Sequence, residues 1–175
     1  MSAFCSVWYM ASGENRPTLP AGLDAQGLRI AIIRAEWNTS IVDRLVDGAI
    51  AGLQGLKATI VGPISVPGCL ELPLACRTVA KSGDVDAIVA TGVVISGETS
   101  HYEIVSQGAA SGIQAVQLET GIPIAFGVLT VESVDQALER SQGGGQHNVG
   151  TEASAVAVEM ARLVQQYECL SLIHI

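Results

Sequence analysis

The sequence predicts a three-layer α/β sandwich with a four-stranded parallel sheet, assembled into an oligomer. Short apolar runs rich in β-branched residues alternate with longer segments of helical periodicity, and this alternation favours parallel strands joined by right-handed crossovers. Hydrophobic residues make up 49% of the 175-residue chain and charged residues only 15%. So few polar side chains cover a monomer poorly, which favours burial of apolar surface between subunits.

The first two predicted elements are a strand and an amphipathic helix. Leu28–Ile33 is a short apolar run typical of a buried strand. Ser40 is the predicted N-cap of the helix that follows, with Asp43 at the capping-box position. One apolar face of this helix recurs at a four-residue spacing and consists of Ile41, Leu45, Ala49 and Leu53.

The second strand and helix carry two prolines that help to place them. Ala58–Val66 has strand composition, and Pro63 inside it predicts an edge strand or a bulge. Leu72–Ser82 is predicted to be a helix, because Pro73 suits a first turn and Gly83 suits the position just beyond the end.

The third strand is the clearest. Asp86–Ile95 is an almost continuous apolar run, followed by the loop Ser96–Ser100 and a helix from about His101 to Leu118. The predicted apolar face of that helix consists of Ile104, Val105, Ala109, Ile113 and Val116.

The remaining segment completes the sheet and adds two helices. Ile122–Val128 is the predicted fourth strand, and a proline near its start favours a place near the sheet edge. Thr130 or Ser133 is the predicted cap of a short helix that ends at Arg140. The polar loop Ser141–Gly150 leads to a last long helix whose predicted inward face is Ala155, Val158, Ala161 and Leu163. Four such strands between helices indicate the flavodoxin-like type of sandwich.

Composition excludes several classes of function. The formal net charge is −8 and no basic stripe is present, so nucleic-acid binding is not expected. No run approaches the ~20 apolar residues of a membrane helix. Cys5, Cys69, Cys76 and Cys169 have no metal-ligand spacing, which predicts reduced thiols in a cytoplasmic protein without a metal site.

Both ends of the chain are expected to lie outside the domain, which we place at residues 28–166. Residues 1–27 are interpreted as an N-terminal arm, with Met10 as an alternative start. Residues 167–175 are a tail. Its last part, Leu170–Ile175, matches the translation of a transposon end used in sequencing libraries, so we expect it to be non-native.

Candidate site residues follow the predicted strands. Ligands of open α/β sheets bind beyond the carboxyl ends of the strands, and four segments converge there: Glu36–Asn38, Gly68–Glu71, Ser96–His101 and Phe126–Thr130. Gly97, Thr99 and the backbone amides of a helix start form a potential anion cradle, with His101 beside it for proton transfer. The alternative is an ordinary helix start capped by a hydroxyl group.

Two further side chains at this edge have both structural and functional interpretations. Trp37 is either a core or interface aromatic or a platform on which a heteroaromatic ring stacks. Glu71 is either a carboxylate favoured by a helix N-terminus or a hydrogen-bonding group for a polyol or amide.

Five ordered motifs between about Leu28 and Val164 resemble the lumazine synthase family: Trp37-Asn38, VPGCLELP (Val66–Pro73), GVVISGETSHYEIV (Gly92–Val105), PIAFGVLT (Pro123–Thr130) and QALER (Gln136–Arg140). The resemblance implies pentamers or a sixty-subunit shell of pentamers, with active sites at subunit interfaces and no metal or organic cofactor. The implied reaction condenses 5-amino-6-(ribitylamino)uracil with 3,4-dihydroxy-2-butanone 4-phosphate. Its products are 6,7-dimethyl-8-ribityllumazine, phosphate and water.

The resemblance also implies roles for individual residues. Trp37 takes the place of the aromatic that stacks on the pyrimidine, and His101 that of the proton-transfer histidine. Phe126 matches a residue that reaches the site from a neighbouring subunit, and Arg140 matches the phosphate-binding arginine. The other substrate-binding positions are Asn38, Cys69, Leu70 and Glu71 for the ribityl chain and ring edge, Val94 and Ile95 for backbone contacts, and Gly97, Glu98 and Thr99 for the phosphate.

Three positions depart from the family pattern, each by loss of a cation. Ser96 stands in the phosphate loop where the family has arginine or lysine, Val149 where it has lysine, and Glu36 where it often has arginine. Arg140 is then the main cation for the phosphate, with Arg34 as a possible helper. A non-catalytic lumazine- or flavin-binding shell protein is therefore the second hypothesis. An archaeal-type riboflavin synthase is the third.

Overall fold

The computed structural model describes residue 20 and residues 22–173, with side chains described as far as Cys169. Most of the predicted arm, and the side chains of 170–175, lie outside the described residues. The strands are β1 (Arg29–Ala35), β2 (Thr59–Val66), β3 (Ala87–Ile95) and β4 (Ile124–Val131). The helices are α1 (Thr39–Gly55), α2 (Leu72–Ala80), α3 (His101–Thr120), α4 (Val134–Glu139) and α5 (Val149–Ile173), with a short 3₁₀ turn at Cys69–Glu71.

The four strands form one parallel sheet in the order β2-β1-β3-β4, so the predicted α/β fold is confirmed. As predicted from their prolines, β2 and β4 are the edge strands. The pairing of β1 with β2 shifts register where Val61 gives way to Ile64, across Pro63. Because a proline lacks an N–H to donate, an irregular edge is where the sheet tolerates it best.

Helices cover both faces of the sheet. One buried cluster lies under α1, α4 and α5 and includes Leu45, Ala137 and Val158. The other lies under α2 and α3 and includes Leu72 and Ile113. The carboxyl ends of all four strands point to one edge of this sandwich, so chain segments from both halves of the sequence meet there.

The start of α1 differs from the prediction. The N-cap is Asn38, which has left-handed dihedrals (φ 59°, ψ 45°). Asparagine adopts this conformation more readily than most residues do. Thr39 Oγ1 donates to the carbonyl oxygen of Glu36 at 2.6 Å and closes this turn. Ser40 therefore lies inside the helix, and Asp43 forms an ion pair with Arg34 instead of a capping box.

The bounds of β4 also differ from the prediction. The strand begins at Ile124 and ends at Val131, so Thr130 lies inside it. Ser133 is the cap of α4, since its hydroxyl accepts from the Gln136 N–H at 3.2 Å. The prediction of Ser133 is confirmed and that of Thr130 is wrong, because the strand continues three residues beyond Val128.

Two residues predicted to face the core are exposed. Ile104 and Leu163 keep 60% and 45% of their side-chain surface open. The buried stripe of α3 runs through Ala109, Ile113 and Val116, and its extension by helical periodicity passes through Val105 and not Ile104. Exposed apolar side chains of this size are typical of surfaces that contact other molecules.

The packing of α2 against α3 fixes the segment that precedes α2. A Cβ atom on Gly108 would lie 2.7 Å from Leu70 Cδ2, and one on Gly112 would lie 2.6 Å from Pro73 Cγ. Arg77 and Lys81 bind Glu119 at 3.0 and 2.7 Å, and these cations lower the pKa of Glu119 to about 2. The turn Cys69–Glu71 is thereby held against α3.

Within the described residues, no helix is long and apolar enough to cross a membrane. That same part of the chain has no group of three histidine, cysteine or acidic residues placed to hold a metal ion.

Candidate active site

A groove of about 500 Å³ opens at the carboxyl edge of the sheet, on the α2–α3 side. The first three strands each contribute their following residues to it, so three of the four segments predicted to converge do meet. The lining residues are Trp37, Asn38, Gly68, Cys69, Leu70, Glu71, Val93, Val94, Ile95, His101 and Val105.

Trp37 forms an exposed wall of the groove. Its side chain is 73% exposed, so the interpretation as a core aromatic of this chain is wrong. The left-handed Asn38 turns the chain between β1 and α1 and places the indole at the rim. A Cβ atom on Gly68 would lie 3.4 Å from Trp37 Cδ1 and 3.0 Å from Glu71 Oε2, so Gly68 leaves room for a carboxylate beside the ring.

Cys69 forms part of the floor. It is 5% exposed, and its thiol donates to the carbonyl oxygen of Val93 at 3.9 Å. Burial raises the pKa of this thiol to about 11, so it is neutral near pH 7 and is not a nucleophile there. A Cβ atom on Gly92 would lie 2.7 Å from the sulfur, which shows how closely the thiol packs on β3.

The loop Ser96–Thr99 forms the exposed rim next to the groove. Its start is fixed because the Ser96 N–H donates to the carbonyl oxygen of Val131 at 2.8 Å. α3 begins at His101, and no side-chain hydrogen bond caps it at Ser100. The hydroxyl cap of the alternative interpretation, an ordinary helix start, is therefore absent, whereas His101 is exposed as the same alternative expects. A helix start without a side-chain cap leaves its first amides to other hydrogen-bond partners.

Two residues in the groove were missed by sequence reasoning: Val93 and Val105. Val105 lies one turn after His101, and this i, i+4 spacing is a signal that places both side chains on one helix face. Gly68 contributes by having no side chain, which becomes apparent only when Trp37 and Glu71 are seen on either side of it.

Phe126 lies away from the groove of its own chain. It pairs with Ala90 in the middle of the sheet, whereas the groove begins at Val93. The predicted position of Phe126 at the rim is wrong because β4 continues to Val131, three residues beyond its predicted end, which leaves Phe126 inside the strand. The side chain is 39% exposed at the edge strand.

Arg140 also lies outside the groove. It follows α4, whose buried residue Ala137 belongs to the core cluster on the opposite face of the sheet. Its Nη1 donates to the carbonyl oxygen of Gln136 at 3.0 Å, and the side chain is 34% exposed. Arg34 is 16% exposed and ion-paired with Asp43, so it is not available to the groove as a helper cation.

Known proteins resemble this chain over most of its length. The family model for 6,7-dimethyl-8-ribityllumazine synthase matches residues 27–165. A 6,7-dimethyl-8-ribityllumazine synthase of Deinococcus radiodurans is 45% identical over 86% of this chain and 97% of its own length. The synthase of Kocuria rhizophila is 43% identical over 86% and 96%, and that of Nitratidesulfovibrio vulgaris is 40% identical over 85% and 96%.

Proposed function

Because this chain belongs to the 6,7-dimethyl-8-ribityllumazine synthase family, we propose that its groove is the site at which the lumazine ring is formed. The chain is a transferase of riboflavin biosynthesis, and its relatives are synthases by name. That favours catalysis over a flavin-binding shell protein. The observation that carries the site assignment is that Trp37, Glu71 and His101 follow three different strands and line one groove.

We assign the groove to 5-amino-6-(ribitylamino)uracil. The flat, exposed indole of Trp37 provides a stacking surface for the pyrimidine. Asn38, Leu70 and Glu71 supply polar and apolar contacts for the ribityl chain and the ring edge, while the neutral thiol of Cys69 packs beneath. The backbone groups of Val94 and Ile95 at the end of β3 bind the ring edge.

We assign the rim to 3,4-dihydroxy-2-butanone 4-phosphate. The open amides at the start of α3, with Gly97, Glu98 and Thr99 in the loop before them, bind the phosphate, and the Ser96 hydroxyl adds a neutral donor. His101 transfers protons as the amine and ketone form an imine with loss of water, as phosphate leaves and as the ring closes. Holding both substrates in one groove supplies the remaining acceleration.

We further propose that the working protein is a homo-oligomer, a pentamer or a sixty-subunit shell of pentamers. Phe126 and Arg140 match substrate-binding positions of the family yet lie outside the groove of their own chain. Both are partly exposed, so a neighbouring copy is the partner whose groove they complete. Cytoplasmic location, the lack of an organic cofactor and the lack of a nucleic-acid partner stay predictions from the sequence.

The first test mixes both substrates with the purified protein. We expect the absorbance of 6,7-dimethyl-8-ribityllumazine to appear with one phosphate released per product. His101→Ala should lower kcat by about 100-fold, the lower end of what a general acid–base group contributes. His147→Ala is the matched control, because His147 lies in another loop with Glu152 as its partner at 3.4 Å. No product from the unmodified protein at high concentration would contradict the proposal.

The second test addresses the shared site. Trp37→Ala removes part of the groove, and Arg140→Ala removes the arginine that a neighbouring copy contributes. Each variant alone is therefore expected to be slow. After unfolding and refolding together in equal amounts, about a quarter of the sites should combine an intact groove with an intact arginine. Recovered activity and a pentamer or shell mass in solution support the proposal. Activity equal to the mean of the two pure variants contradicts a site shared between subunits.

A further inference from the structure

The side chain of Asn148 joins three parts of the chain. It is 4% exposed, and its Nδ2 donates to the carbonyl oxygens of Arg44 at 2.9 Å and Gln142 at 3.0 Å. Its Oδ1 accepts from the N–H groups of Gly150 at 2.9 Å and Thr151 at 3.2 Å. Both donors and both acceptor positions of the amide are therefore used. Aspartate lacks the two N–H donors for the carbonyl oxygens of Arg44 and Gln142, and glutamine is longer than asparagine by one methylene.

The neighbouring helix leaves space for this amide. A Cβ atom on Gly48 of α1 would overlap Oδ1 of Asn148 and would lie 2.6 Å from Nδ2. The contact between α1 and the start of α5 is thus shaped around one asparagine. It fixes the loop before α5 to α1, 104 residues away along the sequence.

The same asparagine closes the hairpin that follows Arg140. Ser141 and Asn148 form an antiparallel bridge, and within it the Gln142 N–H donates to the carbonyl oxygen of His147 at 3.0 Å. The N–H of Val149 donates to the carbonyl oxygen of Arg140 at 2.9 Å. The main chain of Arg140 is therefore bonded to the residue directly after Asn148.

We propose that Asn148 is the positioning residue of Arg140: by fixing the hairpin to α1, it sets where the guanidinium meets the substrate phosphate held by a neighbouring copy. The inference rests on the proposed function, in which Arg140 binds that phosphate. The lining of the groove includes no lysine or arginine among the described residues, so it has little to replace a displaced Arg140. A bidentate fork also binds phosphate only in a narrow range of positions.

The test uses Asn148→Asp in the full-length protein. This change keeps an acceptor for the two amides of α5 but sets an oxygen against the carbonyls of Arg44 and Gln142. We expect the inhibition constant of inorganic phosphate and the KM of the phosphorylated butanone to rise about tenfold or more, below the ~100-fold that a 1 Å misplacement can cost. The KM of the pyrimidine should stay within about twofold, because its groove is not touched.

Thr151→Val is the matched control. It removes the hydrogen bond from Thr151 Oγ1 to the carbonyl oxygen of Gly48 at 3.0 Å, a contact of the same two helices that does not hold the hairpin. Thr151→Val should leave both KM values unchanged. If it raises the phosphate constants as much as Asn148→Asp does, or if Asn148→Asp raises both KM values together, the role is structural and the inference is overturned.

A double-mutant cycle separates this inference from the function on which it rests. In an Arg140→Ala background, Asn148→Asp should not weaken phosphate binding further; an undiminished effect overturns the inference. If Arg140→Ala weakens phosphate binding and Asn148→Asp does not, only the positioning role is lost. If Arg140→Ala leaves phosphate binding unchanged, both are overturned. Should the aspartate variant not fold, Asn148→Ser, which keeps a capping hydroxyl but not the two donors, is judged by the same criteria.

Discussion

Gly150→Ala is expected to cause the largest loss of stability of any single-methyl addition considered for this chain. Gly150 is buried in the first turn of α5, and a Cβ atom there would overlap the carbonyl oxygen of Leu45 and lie 2.7 Å from its carbonyl carbon. Because these are backbone atoms of α1, no side-chain rotation relieves the clash, and the helices must separate. We expect a loss of about 3 kcal/mol or more, at the upper end of overpacking costs.

Thermal and denaturant unfolding at one fixed protein concentration measure this effect. For a chain of this size, 3 kcal/mol corresponds to a drop in Tm of roughly 6–12 °C. Gly55→Ala is the matched control, because Gly55 ends α1 and a Cβ atom there meets nothing within 4 Å. That variant should be as stable as the parent or slightly more so. Equal midpoints for the two alanine variants would show that α1 and α5 do not pack as described.

The close approach of a glycine to a neighbouring helix is a feature of the fold that the sequence does not predict. The strands are readable because β-branched apolar runs alternate with helical patterns, and Pro63 identifies an edge through its missing N–H. The closeness of Gly48 and Gly150 to the opposite helix depends on residues about 100 positions away. The wrong cap at Ser40 has a similar origin, since Thr39 Oγ1 and the left-handed Asn38 close the turn first.

The candidate site, too, has one part that the sequence predicts and one part that it does not. Trp37, Glu71 and His101 follow three parallel strands, and the rule that ligands bind at carboxyl ends is enough to bring them together. Phe126 was misplaced because β4 continues three residues beyond its predicted end, so the carboxyl edge of the sheet lies at Val131 and Phe126 lies mid-sheet. Arg140 lies on the opposite face from the groove, and in the proposed site it binds a phosphate held by another copy of the chain, a contact that neither periodicity nor capping rules describe.

Arg140→Ala is expected to cause the largest loss of activity among the cation substitutions. In the proposed site its guanidinium is the main cation for the substrate phosphate, since Ser96 and Val149 are neutral. Loss of a charge-assisted hydrogen bond costs about 1.5–3 kcal/mol, which corresponds to roughly 10- to 150-fold in kcat/KM. Steady-state kinetics should place most of this loss in the KM of the phosphorylated substrate. Arg140→Lys keeps the charge without the planar fork and should retain part of the affinity.

Adding a cation to the loop tests the same assignment in the opposite direction. Ser96→Arg places a guanidinium beside Gly97 and the open amides at the start of α3, so phosphate binding in the Arg140→Ala background should recover by about fivefold or more. Thr78→Arg is the control, because Thr78 is exposed on α2, distant in sequence from the loop and not part of the groove. Thr78→Arg adds the same positive charge to the protein, but not in the phosphate loop. If both arginines restore binding equally, the gain comes from overall charge, and the loop is not where the phosphate binds. If only Ser96→Arg restores it, the loop and Arg140 bind the same phosphate.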